Sequence, residues 1–278
     1  MPRYRLLAID IDGTLVNSRN ELTPATREAV LRAKKAGIEI VLATGRRYSR
    51  VLPLVEPLEL NVPLVTASGA LIKRASDHYT FYQAHFAPGA LQRWLSVTAA
   101  AGYEAVLYAD TFDQGFDYYC PKFDSQQPEM AEYLQLNAGF ERVCPELMIG
   151  PPPGVFAGFA IGTRDQMLRL QVALEREMAD QLYVHVIRSP RYRGFMCEIA
   201  PAGVSKWTGV YTLANTWGIG PDEICAAGDD VNDIPMILAA GLGVAMGNAL
   251  DEVKAAADRV APSHDEDGLV QVVDWLLE

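Results

Sequence analysis

The stretch from Arg5 to Thr14, RLLAIDIDGT in one-letter code, decides the fold that we predict for this chain. Its apolar run continues to Ile11 and is closed by Asp10 and Asp12. Runs of this kind are typical of parallel strands that are covered on both faces of a sheet. The stretch therefore predicts a buried parallel strand that ends in two carboxylates, directly before a turn at a glycine.

Strands and helices alternate on both sides of a long central segment. Thr23 and Pro24 suit an N-cap and a first helical residue, and Gly37 follows two lysines, as at a helix end. The predicted strands span residues 5–11, 38–43, 62–67, 223–227, 243–246 and 259–261, and the predicted helices span 23–37, 206–217, 233–240, 251–257 and 268–277. This alternation predicts an α/β fold class with a doubly wound, Rossmann-like parallel sheet.

The central segment has a different pattern of secondary structure, because its predicted helices and strands do not alternate regularly. Helices are predicted over residues 88–101 and 164–179, and strands over 103–109, 116–120, 155–162 and 183–188. An irregular stretch between them contains prolines and ends at Gly150–Gly154. We expect an inserted α+β cap domain over residues 85–189, with residues 1–84 and 190–278 forming the core.

Composition and charge exclude several classes of protein. Of the 278 residues, 50% are hydrophobic and 21% are charged, which is typical of a soluble globular protein. We predict no membrane partner, because no apolar stretch reaches the roughly 20 residues of a spanning helix. The first residues carry too short an apolar run for a secretory signal, so we expect a cytoplasmic protein. A net charge of -11 argues against nucleic acid as a partner.

The cysteines and histidines give no sign of a zinc site. The four cysteines are widely spaced without a C-x-x-C pair, and the four histidines show no H-x-x-x-H spacing. We expect free thiols, and packing or surface roles for the histidines.

Polar residues collect where the predicted parallel strands end. Ligands of open parallel sheets bind outside the carboxyl ends of the strands. The residues at these ends are Asp10, Asp12, Thr44, Ser68, Asp229, Asn232 and Asp233. The convergence of these side chains predicts one functional site at this edge of the sheet.

The segment from Gly228 to Asp233, GDDVND, carries three carboxylates within five residues. A helix N-cap accounts for one of them, but three such charges repel one another unless a cation offsets the repulsion. The acidic pair after the first strand is not a calcium loop, because Leu15 stands where that loop requires glycine. Mg²⁺, which accepts a few carboxylates together with phosphate and water, is the cofactor that we predict.

Four motifs in this order resemble those of the haloacid dehalogenase superfamily. They are Asp10–Thr14 (DIDGT), Thr44–Arg46 (TGR), Lys206, and Gly228–Asp233 (GDDVND). The insertion between the second and third motifs is similar to the large α+β cap of Cof-type phosphatases. Residues 243–249 and 265–268 are similar to the C-terminal signatures of these phosphatases, so the resemblance covers essentially the whole chain.

The resemblance implies a role for each matching residue. Asp10 would be the nucleophile, and Asp12 the acid that protonates the leaving alcohol and then activates water. Mg²⁺ would be held by the Asp10 carboxylate, the Asp12 backbone carbonyl and Asp229, with Asp233 supporting. The groups that would hold the phosphoryl oxygens are Thr44, Lys206, Asn232 and the amides of Ile11 and Gly45.

The implied activity is a phosphatase for small phosphorylated metabolites, most of all sugar phosphates, with a small-molecule phosphate ester as the substrate. A phosphomutase of the phosphomannomutase type is an alternative, since such enzymes share a similar cap. A non-catalytic Mg²⁺- or phosphate-binding regulator is a third, although both catalytic aspartates are present. Ser68, Trp207 and His264 depart from the residues that are common in the family, but none of them removes a group that the chemistry needs.

Overall fold

The computed structural model describes residues 3–58, 63–188 and 192–278. The chain divides into two compact units. The first unit comprises Met1–Tyr82 and Ser205–Glu278, and the inserted unit comprises Gln83–Val204. Residue 62, where the third predicted strand begins, and residues 189–190, at the predicted second boundary, lie outside the described residues.

Short strands and helices alternate along most of the described chain. The strands are β1 (Leu6–Ile9), β2 (Glu39–Leu42), β3 (Pro63–Thr66), β4 (Leu71–Arg74), β5 (Thr80–Gln83), β6 (Val106–Ala109), β7 (Tyr118–Cys120), β8 (Glu141–Val143), β9 (Val155–Gly162), β10 (Leu182–Ile187), β11 (Phe195–Pro201), β12 (Ile224–Gly228), β13 (Leu242–Ala245) and β14 (Arg259–Val260). The α-helices are α1 (Pro24–Lys35), α2 (Tyr48–Val55), α3 (Ala90–Ala100), α4 (Pro128–Leu136), α5 (Arg164–Met178), α6 (Lys206–Thr216), α7 (Ile234–Ala239), α8 (Asp251–Ala256) and α9 (Gly268–Leu277). No helix in these residues has the length and apolar character needed to cross a membrane.

The first unit is built on a parallel sheet with the strand order β14-β13-β12-β1-β2. An isolated parallel bridge between Ala43 and Val65 extends the pattern from β2 towards β3. Strands β2 and β12 lie on opposite sides of β1, so the order of the sheet reverses there, and such a reversal opens a crevice at the carboxyl ends. The predicted doubly wound parallel sheet is confirmed.

Burial of apolar side chains holds this sheet between its helices. All four residues of β1 are buried, as expected for a strand that is covered on both faces. On one face, Leu6 and Ala8 pack in a cluster with Val210 and Leu213 of α6 and Met236 of α7. A fully buried leucine contributes about 1.5–3 kcal/mol relative to an exposed one. Burial of this cluster therefore holds the strands of the sheet against helices α6 and α7.

Two features of the first unit were not predicted. After Gly69 the chain returns through β4, which pairs antiparallel with β3, and β5 completes a small sheet of three strands. Helix α2 also went unpredicted because Pro53 lies inside it, where proline usually ends a helix.

The inserted unit has a six-stranded sheet with the order β10-β11-β9-β6-β7-β8. Its described pairs are antiparallel except for β7 with β8. Helices α3 and α5 cover one face through a buried cluster that includes Trp94, Leu170 and Leu174. The expected α+β character of this insertion is confirmed, whereas the irregular stretch contains α4 and β8.

The second boundary of the insertion was predicted wrongly. Residues 190–278 were assigned to the core, but β11 pairs with both β9 and β10 inside the inserted sheet. The inserted unit therefore ends at Val204, and the first unit resumes at Ser205. The error has a physical cause, because the local pattern that predicts a strand does not say which sheet the strand joins.

Candidate active site

The ends of three parallel strands place the candidate residues. Asp10 directly follows β1, and its amide donates to the carbonyl of Ala227 at 3.0 Å. Thr44 lies two residues beyond β2, and its amide donates to Val65 at 2.9 Å. Asp229 directly follows β12. These backbone hydrogen bonds continue the sheet by one step and bring the polar side chains to one edge.

Lys206 lies at the centre of the site. Its Nζ donates to Oδ1 of Asp10 and to Oδ1 of Asp233, both at 2.6 Å. The lysine side chain is 2% exposed, and the two carboxylates are 5% and 0% exposed. A buried ammonium shared by two carboxylates is a strong pairing, because charge-assisted hydrogen bonds are roughly twice as strong as neutral ones.

The start of α6 fixes this lysine in place. Ser205 is the N-cap, and its side chain accepts a hydrogen bond from the amide of Thr208. Gly69 packs against the cap with φ +102, and a Cβ at this position would lie 2.0 Å from the Ser205 carbonyl oxygen. A side chain at position 69 would therefore displace the helix end that carries Lys206.

Asp233 joins the second acidic loop to the lysine. Its Oδ2 accepts from the amides of Asp229 and Asp230 at 3.0 and 3.1 Å. A Cβ at Gly228 would lie 2.4 Å from the Asp233 carboxyl carbon, so glycine is required for this close packing. Asp233 thus orders the loop on one side and binds Lys206 on the other.

Asp229 has the properties of a metal ligand. Its buried Oδ1 has no hydrogen-bond partner among the described residues, while Oδ2 accepts from Asn248 Nδ2 at 3.1 Å. One carboxylate oxygen from each of Asp10, Asp229 and Asp233 lies within 4.8 Å of the other two. An orphaned buried oxygen within a cluster of hard oxygen donors fits a divalent cation such as Mg²⁺.

The pKa values of the buried groups reflect this crowding. Burial raises the pKa of Asp10 well above its usual range; Lys206 opposes that rise, and the charge of Asp233 adds to it. Burial also raises the pKa of Asp229, with further increases from Asp10 and Asp233. Burial lowers the pKa of the Lys206 ammonium, but its two carboxylate partners outweigh burial and raise it. The carboxylates are therefore costly to ionise together without a further cation.

Asp12 lies near the predicted nucleophile, because its negative charge further raises the pKa of Asp10. Its carboxylate is bound in a fork by Arg46, with Nε–Oδ2 at 2.8 Å and Nη2–Oδ1 at 2.7 Å. Arg46 was not predicted as a functional residue, although it is the third residue of the TGR motif.

The groups expected to hold phosphoryl oxygens have unused polar atoms. Thr44 is buried, and its Oγ1 accepts from the Arg46 amide at 3.1 Å. The Oδ1 of buried Asn232 has no hydrogen-bond partner in the described part of the chain, but this oxygen is an acceptor, so a phosphoryl oxygen would be bound by the Nδ2 of the same side chain. The amides of Ile11 and Gly45 donate no backbone hydrogen bond within the described residues. These donors and acceptors lie in the loops that follow β1, β2 and β12.

A comparison with known protein families shows to which family the chain belongs. The family described as haloacid dehalogenase-like hydrolase matches residues 7–273 of the chain. The chain belongs to this family. It is therefore an enzyme of a hydrolase family, and the resemblance read from the four motifs is confirmed.

Several relatives of this haloacid dehalogenase-like hydrolase are named as phosphatases. The chain is 29% identical to phosphatase YwpJ of Bacillus subtilis, over 98% of this chain and 100% of YwpJ. It is 28% identical to the 5-amino-6-(5-phospho-D-ribitylamino)uracil phosphatase YwtE of the same organism, with 98% of each chain covered. The crystal structure of a haloacid dehalogenase-like hydrolase from Bacteroides thetaiotaomicron is similar, with 26% identity, a TM-score of 0.77, and 98% and 99% of the two chains covered.

Two of the residues that depart from the family pattern lie beside the site of this hydrolase. Ser68 has a φ of 54, a left-handed conformation that asparagine adopts more readily than serine. The amide of His264 donates to Asn248 Oδ1 at 2.9 Å, and Asn248 in turn binds Asp229. Asn248 was missed as a site residue, although the signature at residues 243–249 contains it.

The third departure, Trp207, has a packing role in this hydrolase. Its ring stacks on Tyr211, with centroids 5.5 Å apart and planes at 16°. It also packs against the core cluster of the parallel sheet. The tryptophan therefore helps to seat the helix that Lys206 begins.

Proposed function

We propose that the chain is a Mg²⁺-dependent phosphatase that hydrolyses phosphate monoesters of small metabolites, sugar phosphates above all, through a phospho-aspartate on Asp10. The observation that carries the proposal is the buried ammonium of Lys206, 2.6 Å from both Asp10 and Asp233, with the orphaned Oδ1 of Asp229 in the same cluster. Phosphoryl transfer depends mainly on positioning and on stabilising negative charge, and this cluster supplies both.

In the first half of the reaction, a carboxylate oxygen of Asp10 attacks phosphorus. The bond from phosphorus to the ester oxygen breaks, and its electron pair goes to that oxygen. Asp12 supplies the proton that turns the leaving oxygen into an alcohol. Lys206, Thr44, Asn232 and the amides of Ile11 and Gly45 would hold the oxygens of the transferred group.

In the second half, water attacks the phosphorus of the phospho-aspartate. Asp12 takes a proton from this water, and the bond between phosphorus and the Asp10 oxygen breaks. Inorganic phosphate leaves, and the carboxylate of Asp10 is restored. A second carboxylate two residues from the nucleophile supports hydrolysis of the phospho-aspartate instead of its storage.

Four residues would hold Mg²⁺. They are Asp10 and Asp229 through their carboxylates, Asp12 through its backbone carbonyl, and Asp233 in support. When bound, Mg²⁺ supplies the positive charge that offsets repulsion between the nucleophile and a dianionic phosphate. The raised pKa values of Asp10 and Asp229 support this assignment, because a cation relieves the cost of ionising both.

The proposed substrate class rests on the relatives. The name of YwtE gives it a phosphate ester on a ribityl chain, which is a small polyol phosphate. We extend the class, but not that particular compound, to this chain.

A panel of phosphorylated metabolites tests the proposal through release of inorganic phosphate, with and without Mg²⁺. We expect release that requires Mg²⁺ and that is abolished in Asp10→Asn, a variant of nearly the same shape. Normal release by this variant would remove the nucleophile assignment. A need for a bisphosphate activator, with little free phosphate released, would favour the phosphomutase instead.

A further inference from the structure

Asp12 and Arg46 form a forked ion pair at the candidate active site. Two parallel hydrogen bonds, of 2.8 and 2.7 Å, join the guanidinium to both carboxylate oxygens of Asp12. The arginine side chain is only 7% exposed, while that of Asp12 is 31% exposed. The arginine thus presents a fixed fork to a carboxylate that remains open to solvent on its other side.

The surroundings hold Arg46 at both its backbone and its side chain. Its amide donates to Thr44 Oγ1 at 3.1 Å, and its carbonyl accepts from the amide of Ala67 at 3.0 Å. Its Nη2 also donates to Oδ1 of Asn20, a residue with the left-handed φ of 60. The position of the fork is therefore set by three separate segments of the first unit.

An ordinary surface ion pair has a different setting. Arg74 and Asp77 also form a forked pair, but their side chains are 34% and 49% exposed. Exposed pairs contribute little, about 0–1 kcal/mol. Burying an arginine has a desolvation cost. The burial of Arg46 beside the loop that carries the nucleophile therefore points to a role other than stabilising the fold.

We propose that Arg46 is a positioning residue for the proton transfers of Asp12, an inference that rests on the proposed function. In the first half-reaction the proton passes from Asp12 to the leaving oxygen, and the carboxylate that forms is received by the two N–H donors of Arg46. In the second half-reaction the same carboxylate takes a proton from water. The guanidinium of Arg46 fixes the carboxyl group of Asp12 within reach of the leaving oxygen and of the attacking water. Arg46 itself neither gains nor loses a proton.

The leaving group of the substrate makes this role measurable. An alkyl phosphate needs a proton on its leaving oxygen, whereas p-nitrophenyl phosphate releases a stable phenolate and needs none. The ratio kcat/KM reports steps up to cleavage of the ester bond, so later hydrolysis of the phospho-aspartate does not hide the effect. We expect Arg46→Gln to lower kcat/KM for an alkyl phosphate by about 100-fold, a loss of the size that misplacing a catalytic group causes, and to change that for p-nitrophenyl phosphate little.

Further variants separate positioning from damage to the fold. Arg46→Lys keeps the charge but loses the planar fork, so we expect a loss for the alkyl ester between those of wild type and Arg46→Gln. Asn20→Ala loosens the arginine without touching Asp12, and we expect the same selective pattern at a smaller size. Arg74→Gln breaks the other forked pair, which lies outside the site, and should leave both esters unaffected.

A double-mutant cycle completes the test. Asp12→Asn should lower kcat/KM for the alkyl phosphate but not for p-nitrophenyl phosphate. Adding Arg46→Gln to Asp12→Asn should lower kcat/KM little further, because both changes remove the same proton transfer. Equal losses on both esters in Arg46→Gln, or additive losses in the double variant, would overturn the positioning role. If the wild-type protein releases phosphate from neither ester, the proposed function itself fails. If Asp12→Asn is selective and Arg46→Gln is not, only this inference fails.

Discussion

Replacing Lys206 by methionine removes the one ammonium that two buried carboxylates share. Methionine is about as long and is apolar, so the change deletes the charge with little loss of volume. The side chains of Asp10 and Asp233 would then face each other across the site with no cation between them. We expect a large loss of stability in the Mg²⁺-free protein at pH 7.

The size of this loss follows from the geometry. Coulomb's law at 2.6 Å and an effective dielectric constant of about 20 gives roughly 6 kcal/mol for each pair, before the cost of desolvating the charges is subtracted. Removing one partner of a buried pair typically costs about 3–5 kcal/mol, and we expect a decrease of that size in the free energy of unfolding. Protonation of Asp10, whose pKa is already raised, limits the loss to this range.

The stability loss in Lys206→Met depends on pH, because the pKa values of Lys206 and Asp10 are both raised. The pKa of Lys206 is raised, so its contribution is fully present below the usual lysine value of about 10.4 and is lost only above it. The pKa of Asp10 is raised too, so its ionised form is a penalty that fades as the pH falls towards the usual aspartate value of about 3.9. The difference in the free energy of unfolding between Lys206→Met and the wild type should therefore be smaller at pH 5 than at pH 7.

Urea unfolding of the Mg²⁺-free proteins at both pH values measures this gap. The control is Lys35→Met, which removes an exposed lysine in the last turn of α1 and should change stability by less than about 0.5 kcal/mol. A loss below about 1 kcal/mol for Lys206→Met at pH 7, or a gap that widens towards pH 5, would refute the electrostatic account.

Two further predictions concern Asp229. In Asp229→Asn the costly charge disappears, so thermal denaturation of the Mg²⁺-free variant at pH 7 should show a higher Tm than the wild type, because burial and the charges of Asp10 and Asp233 raise the pKa of Asp229. The gain should shrink at acid pH, and Mg²⁺ should no longer raise the Tm; a wild-type response to Mg²⁺ would contradict the ligand assignment. Gly13→Ala would place a Cβ 2.1 Å from Asp229 Oδ2, and we expect lost phosphatase activity in addition to a backbone cost of about 1–3 kcal/mol. Gly37→Ala also has a positive φ but has no atom within 4 Å of the added Cβ, so it should show the backbone cost alone; equal activity in the two variants would rule out the steric argument.

Local patterns in the sequence were sufficient for the elements that frame the site. The apolar run over residues 5–11 predicted β1, and the observed strand, Leu6–Ile9, is shorter but buried along its whole length. The N-cap expected at Thr23 is present, with its side chain accepting from the amide of Thr26. These features depend on residues a few positions apart, because periodicity and capping act within one turn or one strand.

Contacts between distant residues could not be predicted in the same way. The strand β11 was assigned to the wrong unit, since antiparallel pairing with β9 and β10 depends on how the whole sheet assembles. The forked pair of Asp12 with Arg46 and the hydrogen bond from Asn248 to Asp229 were also missed. Each of these contacts joins side chains whose relative position is set by packing of separate segments.

The sequence by itself determined the alternating layers, the family and the residue types at the carboxyl ends of the strands, because short-range periodicity and ordered motifs encode them. Only the tertiary structure decided which of those residues touch. Lys206 reaches Asp10 across 196 positions of the chain. Such a contact forms only when burial of the sheet and its helices offsets the loss of chain entropy on closing so long a loop.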